Sequence, residues 1–374
     1  MSTITAEPPK SSVSVRMLAP AEINDSDLQH WRDLEHVALE PNPYLSCDFV
    51  LPAVEHMGGI TPTIIAVENA TGMIGLGVFR ERSATARFPL RSLGAFRTPH
   101  SYLTGVLLHR DHANAAARAL VASLLRGDWP AVGFSDLRWD APATQVLRAA
   151  FADSDAVWYE ESARDRALLR VDTRSRQTPA EYIEKSIMKR YRRARTKLAQ
   201  LGDVSWRCLT GADVTGEVID RFIRLEHSGW KGIEGTSLRA NPQHEKFFRA
   251  MMQRFSARGD AFFTELSSGG RVIASTSNLL SCGEGFAFKV GWDVEFKDVS
   301  PGLLNELFFL DALDTLHFQL RDVDSGSAEG SFIEALWPDR SRLASGFFIF
   351  TARGRMLARV LSTARQLKRR IGAA

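Results

Sequence analysis

The sequence predicts a mixed α/β (α+β) fold built from two similar units, because its predicted elements repeat. Residues 63–79 have the pattern of a strand, a glycine-containing turn and a second strand, and residues 261–274 repeat it about two hundred residues later. A helical pattern follows each hairpin, at about 111–126 and 301–319. We therefore expect two tandem units, each a mixed sheet flanked by helices.

A short strand with polar residues follows each of these helices. The first covers residues 133–140, and the second covers residues 321–325 and ends on Asp324 and Ser325. An acid at the carboxyl end of a strand is a usual ligand contact in α/β units. Asp-Ser-Gly is also a common turn sequence in which the carboxylate caps the backbone. Both interpretations of Asp324 stay open at this point.

The length and composition are those of a chain with two domains. The chain has 374 residues, of which 44% are hydrophobic, and domains commonly contain roughly 100 to 200 residues. We expect four segments in order. They are a disordered head at 1–12, an N-terminal unit at 13–175, a basic bridging helix at 176–202 and a C-terminal unit at 203–374.

The cysteines and the N-terminus indicate a cytoplasmic protein. Cys47, Cys208 and Cys282 are far apart and fit neither a disulfide framework nor zinc-ligand spacing, so no metal is expected. The N-terminal segment lacks the apolar centre of a secretory signal. No apolar run approaches the roughly 18 residues of a membrane span. The expected protein is soluble.

The basic residues are concentrated in two segments, although the net charge is only +3. Residues 185–197 and 353–370 each contain seven lysines and arginines and no acid. In the bridging helix these charges lie beside an apolar seam of Ile187, Tyr191, Ala194, Leu198 and Leu201. The charged face is either simply solvated or a wall for an anionic ligand, such as cofactor phosphates or nucleic acid.

The C-terminal segment from 353 to 371 has the pattern of a second basic amphipathic helix. Its apolar side would cover a sheet of the same chain, and this arrangement requires no partner molecule. Alternatively, it would rest on an anionic membrane surface as a peripheral contact at the inner face of the membrane.

The densest group of reactive side chains lies in residues 225–236. Helical spacing places Glu226 and Trp230 on the apolar stripe of the preceding helix, so the Glu226 carboxylate should face inward. A buried carboxylate is costly unless it is paired or faces a cleft, and Lys231 is the candidate partner. A structural ion pair and a functional site are both compatible with this pattern.

Two further segments of the second half have the composition of a binding site. Lys289 and Asp293 share one face of an alternating strand, either as a cross-face pair or as part of a cleft. Ser300 and Pro301 suit the N-cap and first position of the next helix, whose N-terminus is suited to a phosphate.

Together these segments resemble a known family, the GNAT-like acetyltransferases related to CelD and often described as BioF2-like. The resemblance covers residues 180–345 and includes the Gly229-Trp230-Lys231-Gly232 run, the strand at 288–293 and the Ser300-Pro301-Gly302-Leu303-Leu304 helix start. Residues 42–49 extend it weakly into the first half. It implies a tandem GNAT fold similar to that of the FemABX aminoacyltransferases, with the cleft formed largely by the second unit.

The resemblance implies transfer of an acyl group, most simply acetyl from acetyl-CoA or another acyl-CoA, to an amine or hydroxyl of an envelope or exopolysaccharide precursor. The implied catalytic residues are Glu226 or Asp324 as general base, with Lys231 and Lys289 beside them. The implied substrate-binding residues are Trp230, Gly232, Thr236, Asp293 and Ser325. The implied donor-binding residues are Ser300, Pro301, Gly302 and Leu303.

The helix start departs from the pyrophosphate loop of ordinary GNAT enzymes, which has a Gln/Arg-x-x-Gly-x-Gly/Ala run. Only Ser300-Pro301-Gly302 stands at the corresponding turn. An aminoacyl-tRNA, the donor of FemABX relatives, is therefore the alternative to acyl-CoA. A third possibility is a non-catalytic GNAT-fold scaffold of a polysaccharide synthesis complex.

Overall fold

In the computed structural model of the chain, one mixed sheet includes strands from both halves. The structure describes residues 13–59, 61–85, 88–356 and 360, without the side chain of Trp230. The predicted head at 1–12 and most of the predicted helix at 353–371 lie outside these residues. Among the described residues, no helix is both long enough and apolar enough to cross a bilayer.

The strands are numbered in chain order. They are β1 (Ser14–Leu18), β2 (Thr63–Asn69), β3 (Gly72–Arg82), β4 (Ser92–Ala95), β5 (Leu107–Leu108), β6 (Ala131–Arg138), β7 (Val157–Arg170), β8 (Val204–Thr210), β9 (Ala261–Ser268), β10 (Arg271–Ser281), β11 (Glu284–Trp292), β12 (Asp322–Asp324) and β13 (Asp339–Ile349).

The helices are numbered in the same way. They are α1 (Asp25–Val37), α2 (Cys47–Met57), α3 (Ala113–Arg126), α4 (Pro142–Ala152), α5 (Val171–Arg174), α6 (Pro179–Tyr182), α7 (Lys185–Leu201), α8 (Gly216–Ser228), α9 (Trp230–Ile233), α10 (Pro242–Ala257) and α11 (Pro301–Asp311).

The order of the strands across the sheet is β1-β2-β3-β4-β6-β13-β7-β12-β11-β10-β9-β8, with β5 beside β3. The predicted hairpins are present as the antiparallel pairs β2–β3 and β9–β10. The last strand, β13, lies between β6 and β7 of the first half and is antiparallel to both. The predicted mixed sheet flanked by helices is confirmed, whereas the segment boundaries stay a prediction.

Three helix-covered cores pack against this sheet. One contains residues from both halves, including Trp31 and Phe49 near the start and Phe222 and Phe288 later in the chain. A second lies under α7 and α11, and a third lies under α3 and α4. Because the first core is shared, burial of apolar surface ties the two halves together.

The bridging helix differs from its prediction at its start. The helical pattern expected from Pro179 is broken at Ile183, whose backbone is extended and whose side chain is buried in the core under α7 and α11. The longer helix α7 then buries Met188, Tyr191, Ala194 and Leu198. Leu201, predicted to belong to the same seam, is 57% exposed.

Candidate functional site

An opening between the two halves of the sheet lies where two parallel strands part. Strands β11 and β12 pair only over three positions, from Glu284–Asp322 to Phe286–Asp324. Beyond them, the end of β11 and the loop at 325–332 line a cavity of about 580 Å³. The carboxyl ends of parallel strands are where ligands usually bind in α/β folds.

Gly326 lets the loop after β12 pass close to β11. Its φ is +61°, and a Cβ at this position would lie 2.5 Å from the Ala287 carbonyl oxygen. Any other residue would therefore be strained and would push the loop away from β11. Gly326 therefore holds the loop after β12 against Ala287 of β11 at one side of the cavity.

Both faces of the sheet contribute walls to this cavity. Tyr102 packs on the shared core, on the side of α8 and α10, and lines the cavity together with Lys231 and Lys289. Phe309 and Trp337 line it from the core under α7 and α11. We infer that the cavity passes through the gap between β11 and β12 and connects the two faces.

A second groove, of about 640 Å³, continues the cavity along the start of α11. Ser300, Pro301, Gly302 and Leu303 line this groove, and Val290 and Gly302 line both spaces. The predicted donor-binding residues are thus brought together at one helix N-terminus beside the cavity.

Two cations from other segments reach this helix start. Arg190 of α7 lines the groove and donates a hydrogen bond of 2.7 Å to the Ser300 hydroxyl, and Lys297 lines the groove nearby. The Ser300 side chain makes no capping hydrogen bond to α11. First-turn N–H groups, the helix dipole and two cations suit an anionic group such as a phosphate.

The Glu226–Lys231 pair is present, but its carboxylate lies outside the cavity lining. Glu226 Oε1 accepts a hydrogen bond of 3.3 Å from Lys231 Nζ, and Oε2 accepts one of 2.8 Å from the Leu238 N–H. The Glu226 side chain has no exposed surface. Lys231 also donates to the Val290 carbonyl oxygen at 2.9 Å. The pair therefore fixes the Lys231 ammonium against β11 at the cavity wall.

Lys289 lies on the same side of the sheet. Its side chain lines the cavity, and burial lowers the pKa of its ammonium, as it also lowers the pKa of Lys231. Among the described residues, the Lys289 ammonium has no hydrogen bond or ion pair, and its nearest aromatic contact is Phe288, at 5.8 Å from the ring centroid. Of the two alternatives for Lys289, the pair with Asp293 does not form, since Asp293 binds Arg271 instead.

Asp324 ends β12 inside an ion network. Its carboxylate accepts hydrogen bonds from Arg166 at 3.2 Å, from Arg138 at 3.4 Å and from the Gly326 N–H at 2.8 Å. Burial opposes ionisation, but the charges of Arg166 and Arg138 outweigh it and lower the pKa of Asp324. A carboxylate held in the ionised form by two guanidinium groups is a weak proton acceptor.

The remaining predicted substrate-binding residues are divided between the cavity and other places. Thr236 and Ser325 line the cavity. Gly232 does not line it but packs so closely on the His227 carbonyl oxygen that a Cβ would clash. Asp293 lies at another groove beside Arg271. Trp230 begins α9, and its side chain lies outside the described set.

The cavity contains a carboxylate that was not predicted, Glu306 of α11. It is 8% exposed, lines the cavity and accepts a hydrogen bond of 3.0 Å from Trp337 Nε1. Burial raises the pKa of Glu306 to about 7. The sequence contains a signal for this residue, because an acid within the apolar run of α11 is buried. As with Glu226, a buried carboxylate should be paired or face a cleft.

A chain of polar side chains forms the wall near Glu306. The Thr264 and Thr276 hydroxyls are 2.6 Å apart, and the Asn278 amide donates to Thr276 at 3.0 Å. All three residues line the cavity. In the part of the chain that the structure describes, no group of three or more His, Cys, Asp or Glu residues is placed to hold a metal ion.

Comparisons with known proteins concern the fold of the chain. Residues 185–313 match a family model described as an acetyltransferase (GNAT) domain. A crystal structure of FemX is similar at a TM-score of 0.58 and 10% identity, over 92% of this chain and 99% of that one. No curated protein matches the sequence.

Two further solved structures are similar over most of their length. The C-terminal domain of a putative lysylphosphatidylglycerol synthetase from Agrobacterium fabrum gives a TM-score of 0.54 at 10% identity, over 90% of this chain and 95% of that one. A conserved protein of unknown function from Bacteroides thetaiotaomicron gives 0.52 at 11% identity, over 86% and 98%. At these identities the likeness shows the fold alone. The chain therefore has the fold of these structures, and residues 185–313 are similar to an acetyltransferase (GNAT) domain.

Proposed function

We propose that the protein transfers an acyl group from acyl-CoA to an amine or hydroxyl acceptor at the gap between β11 and β12. The observation that carries the proposal is the continuity of two spaces. The groove at the start of α11, with Arg190 and Lys297, opens into the cavity where the strands part. A donor with anionic phosphates at one end and a reactive thioester at the other fits this arrangement.

In this proposal the α11 N-terminus, Arg190 and Lys297 bind the donor phosphates. The acceptor approaches from the side of α8 and α10, where Lys231 and Lys289 lie. Its nitrogen or oxygen attacks the thioester carbonyl, the carbon–sulfur bond breaks, and the CoA thiolate leaves. Binding both reactants in one cavity supplies the alignment that direct transfer requires.

Glu306 is our candidate for the general base. Its pKa of about 7 suits proton transfer near neutral pH. It would take the acceptor proton, directly or through a water, and the proton would then pass to the leaving thiolate. The sequence-based candidates suit this role less well, because Glu226 lies outside the cavity lining and Asp324 is held by two arginines. We propose Glu226 as a positioning residue for Lys231.

We propose an amine or a hydroxyl of a saccharide precursor as the acceptor. The resemblance to CelD-related proteins makes amines and hydroxyls of envelope or exopolysaccharide precursors the first acceptors to test. N-transfer and O-transfer are distinguished by comparing an amino sugar with its hydroxyl counterpart.

The donor is tested by binding. Free CoA should protect the full chain against thermal unfolding in a concentration-dependent way. Arg190→Gln should raise the CoA dissociation constant obtained from that protection about tenfold. Arg193→Gln is the matched control, because Arg193 is an exposed cation of α7 that does not line the groove. If CoA and acetyl-CoA give no protection while an aminoacyl-tRNA binds, the FemABX-like alternative replaces this proposal.

A further inference from the structure

We propose that the acceptor carries an anionic group, a carboxylate or a phosphate, which binds at Lys289 and Lys231 on the α8 and α10 side of the cavity. The inference rests on the proposed acyl transfer, and it names the chemical class of the acceptor. The evidence is the Lys289 ammonium in the cavity wall, which makes no ion pair with any described residue.

Lys231 and Lys289 share one nearby carboxylate, that of Glu226. Both oxygens of Glu226 are already used, one by Lys231 Nζ and the other by the Leu238 N–H. Lys289 is close enough for the Glu226 charge to act on it, but the described residues provide no ion pair for its ammonium. Two cations therefore face one anion.

Among the described residues, Tyr102, His100 and His244 are the other titratable groups whose charges couple to these lysines, and they do not supply a negative charge. Burial raises the pKa of Tyr102 to about 12, so this phenol stays neutral at physiological pH. Burial lowers the pKa of His100 to about 2 and also lowers the pKa of His244, so neither imidazole adds charge near neutral pH. Counted over these described groups and Glu226, the α8 and α10 side of the cavity has an excess of one positive charge.

An excess charge in a half-buried wall favours a ligand of opposite sign. Desolvation lowers the pKa of the Lys289 ammonium, and desolvation together with the charge of Lys289 lowers the pKa of Lys231. An anion beside them removes this unfavourable interaction and gains charge-assisted hydrogen bonds. A neutral acceptor leaves the Lys289 ammonium unmatched, so the site discriminates by charge.

Three matched amines test the proposal. Ethanolamine, β-alanine and O-phosphoethanolamine each place an amine two carbons from a hydroxyl, a carboxylate or a phosphate. Calorimetric titration of the full chain, with and without saturating CoA, gives their dissociation constants. We expect at least one of the two anionic amines to bind about tenfold or more tightly than ethanolamine, and the better one identifies the preferred anion.

Variants locate the effect. Lys289→Gln should remove the preference for the anionic amine, and Lys289→Arg should largely retain it. Lys246→Gln removes an exposed lysine of α10 outside the cavity and should leave the preference intact. Protection by CoA should be the same in all of these proteins, since the donor phosphates bind in the groove at the start of α11, which Lys289 and Lys246 do not line.

Equal affinity for all three amines would overturn the proposal, as would no binding of either anionic amine up to about 10 mM. A preference that survives Lys289→Gln would also overturn it. If the anionic preference is present but CoA does not bind, the proposed acyl-CoA function fails while the anion site stands. The two failures are therefore distinguishable.

Discussion

Replacing Glu306 by glutamine should stabilise the fold at alkaline pH and impair catalysis at the same time. Glutamine keeps an oxygen to accept the Trp337 Nε1 hydrogen bond, which is 3.0 Å long, and removes the charge. Burial raises the pKa of Glu306 from the usual 4.5 to about 7. A tenfold change in the ionisation constant corresponds to about 1.4 kcal/mol. The ionised carboxylate therefore lowers the free energy of unfolding by about 3 kcal/mol.

The sign of the pH dependence follows from the direction of the shift. The pKa of Glu306 is higher in the folded chain than in the unfolded one. The carboxyl group therefore lowers the free energy of unfolding only at pH values where it is ionised in the unfolded chain. The cost is small at pH 4.5, grows as the pH rises to about 7 and is then constant. Glu306→Gln should therefore resemble the wild type in acid and exceed its stability above neutral pH.

Denaturant unfolding of both proteins at about pH 4.5 and about pH 8 measures this difference. Glu217→Gln is the control, since Glu217 is an exposed acid of α8 and should shift stability by under about 0.5 kcal/mol. Under the proposed function, Glu306→Gln should lower kcat by about a hundredfold or more, and the fall of kcat/KM below about pH 7 should disappear. A variant that is less stable at pH 8, or fully active, would refute the reasoning.

Three other substitutions test the surrounding geometry. Asp324→Asn should lower the free energy of unfolding by about 3 to 5 kcal/mol, since it leaves Arg166 buried without its anion. Denaturant unfolding measures the loss, and an unchanged free energy would contradict the stabilising role of this ion pair. Glu226→Gln should raise the KM for the acceptor more than it lowers kcat, because it displaces Lys231; steady-state kinetics should show this, and a pure kcat effect would restore Glu226 as a catalytic residue. Gly232→Ala should destabilise by more than about 2 kcal/mol through a backbone clash, and wild-type stability would be inconsistent with the packing of α9.

Local patterns in the sequence predicted much of the fold. The hairpins β2–β3 and β9–β10, the strand β11 and the inward position of Glu226 follow from alternation and helical spacing, which short segments determine. The segment before α7 did not follow its pattern, because burial of Ile183 in the core outweighs its helical surroundings.

Long-range pairing explains most of what sequence patterns did not predict. The insertion of β13 between β6 and β7 joins residues about two hundred positions apart, and no local signal encodes such a partner. Asp324 depends in the same way on Arg138 and Arg166, which come from the first half of the chain. The cavity was predicted only as separate segments, since its volume arises from two strands that part.

A crystal structure of the full chain with CoA tests the central claim most directly. We expect the diphosphate of CoA within hydrogen-bond distance of the Gly302 and Leu303 N–H groups and of Arg190, with the pantetheine arm between β11 and β12. CoA bound elsewhere on the protein, with the gap between β11 and β12 left open at saturating ligand, would contradict the account.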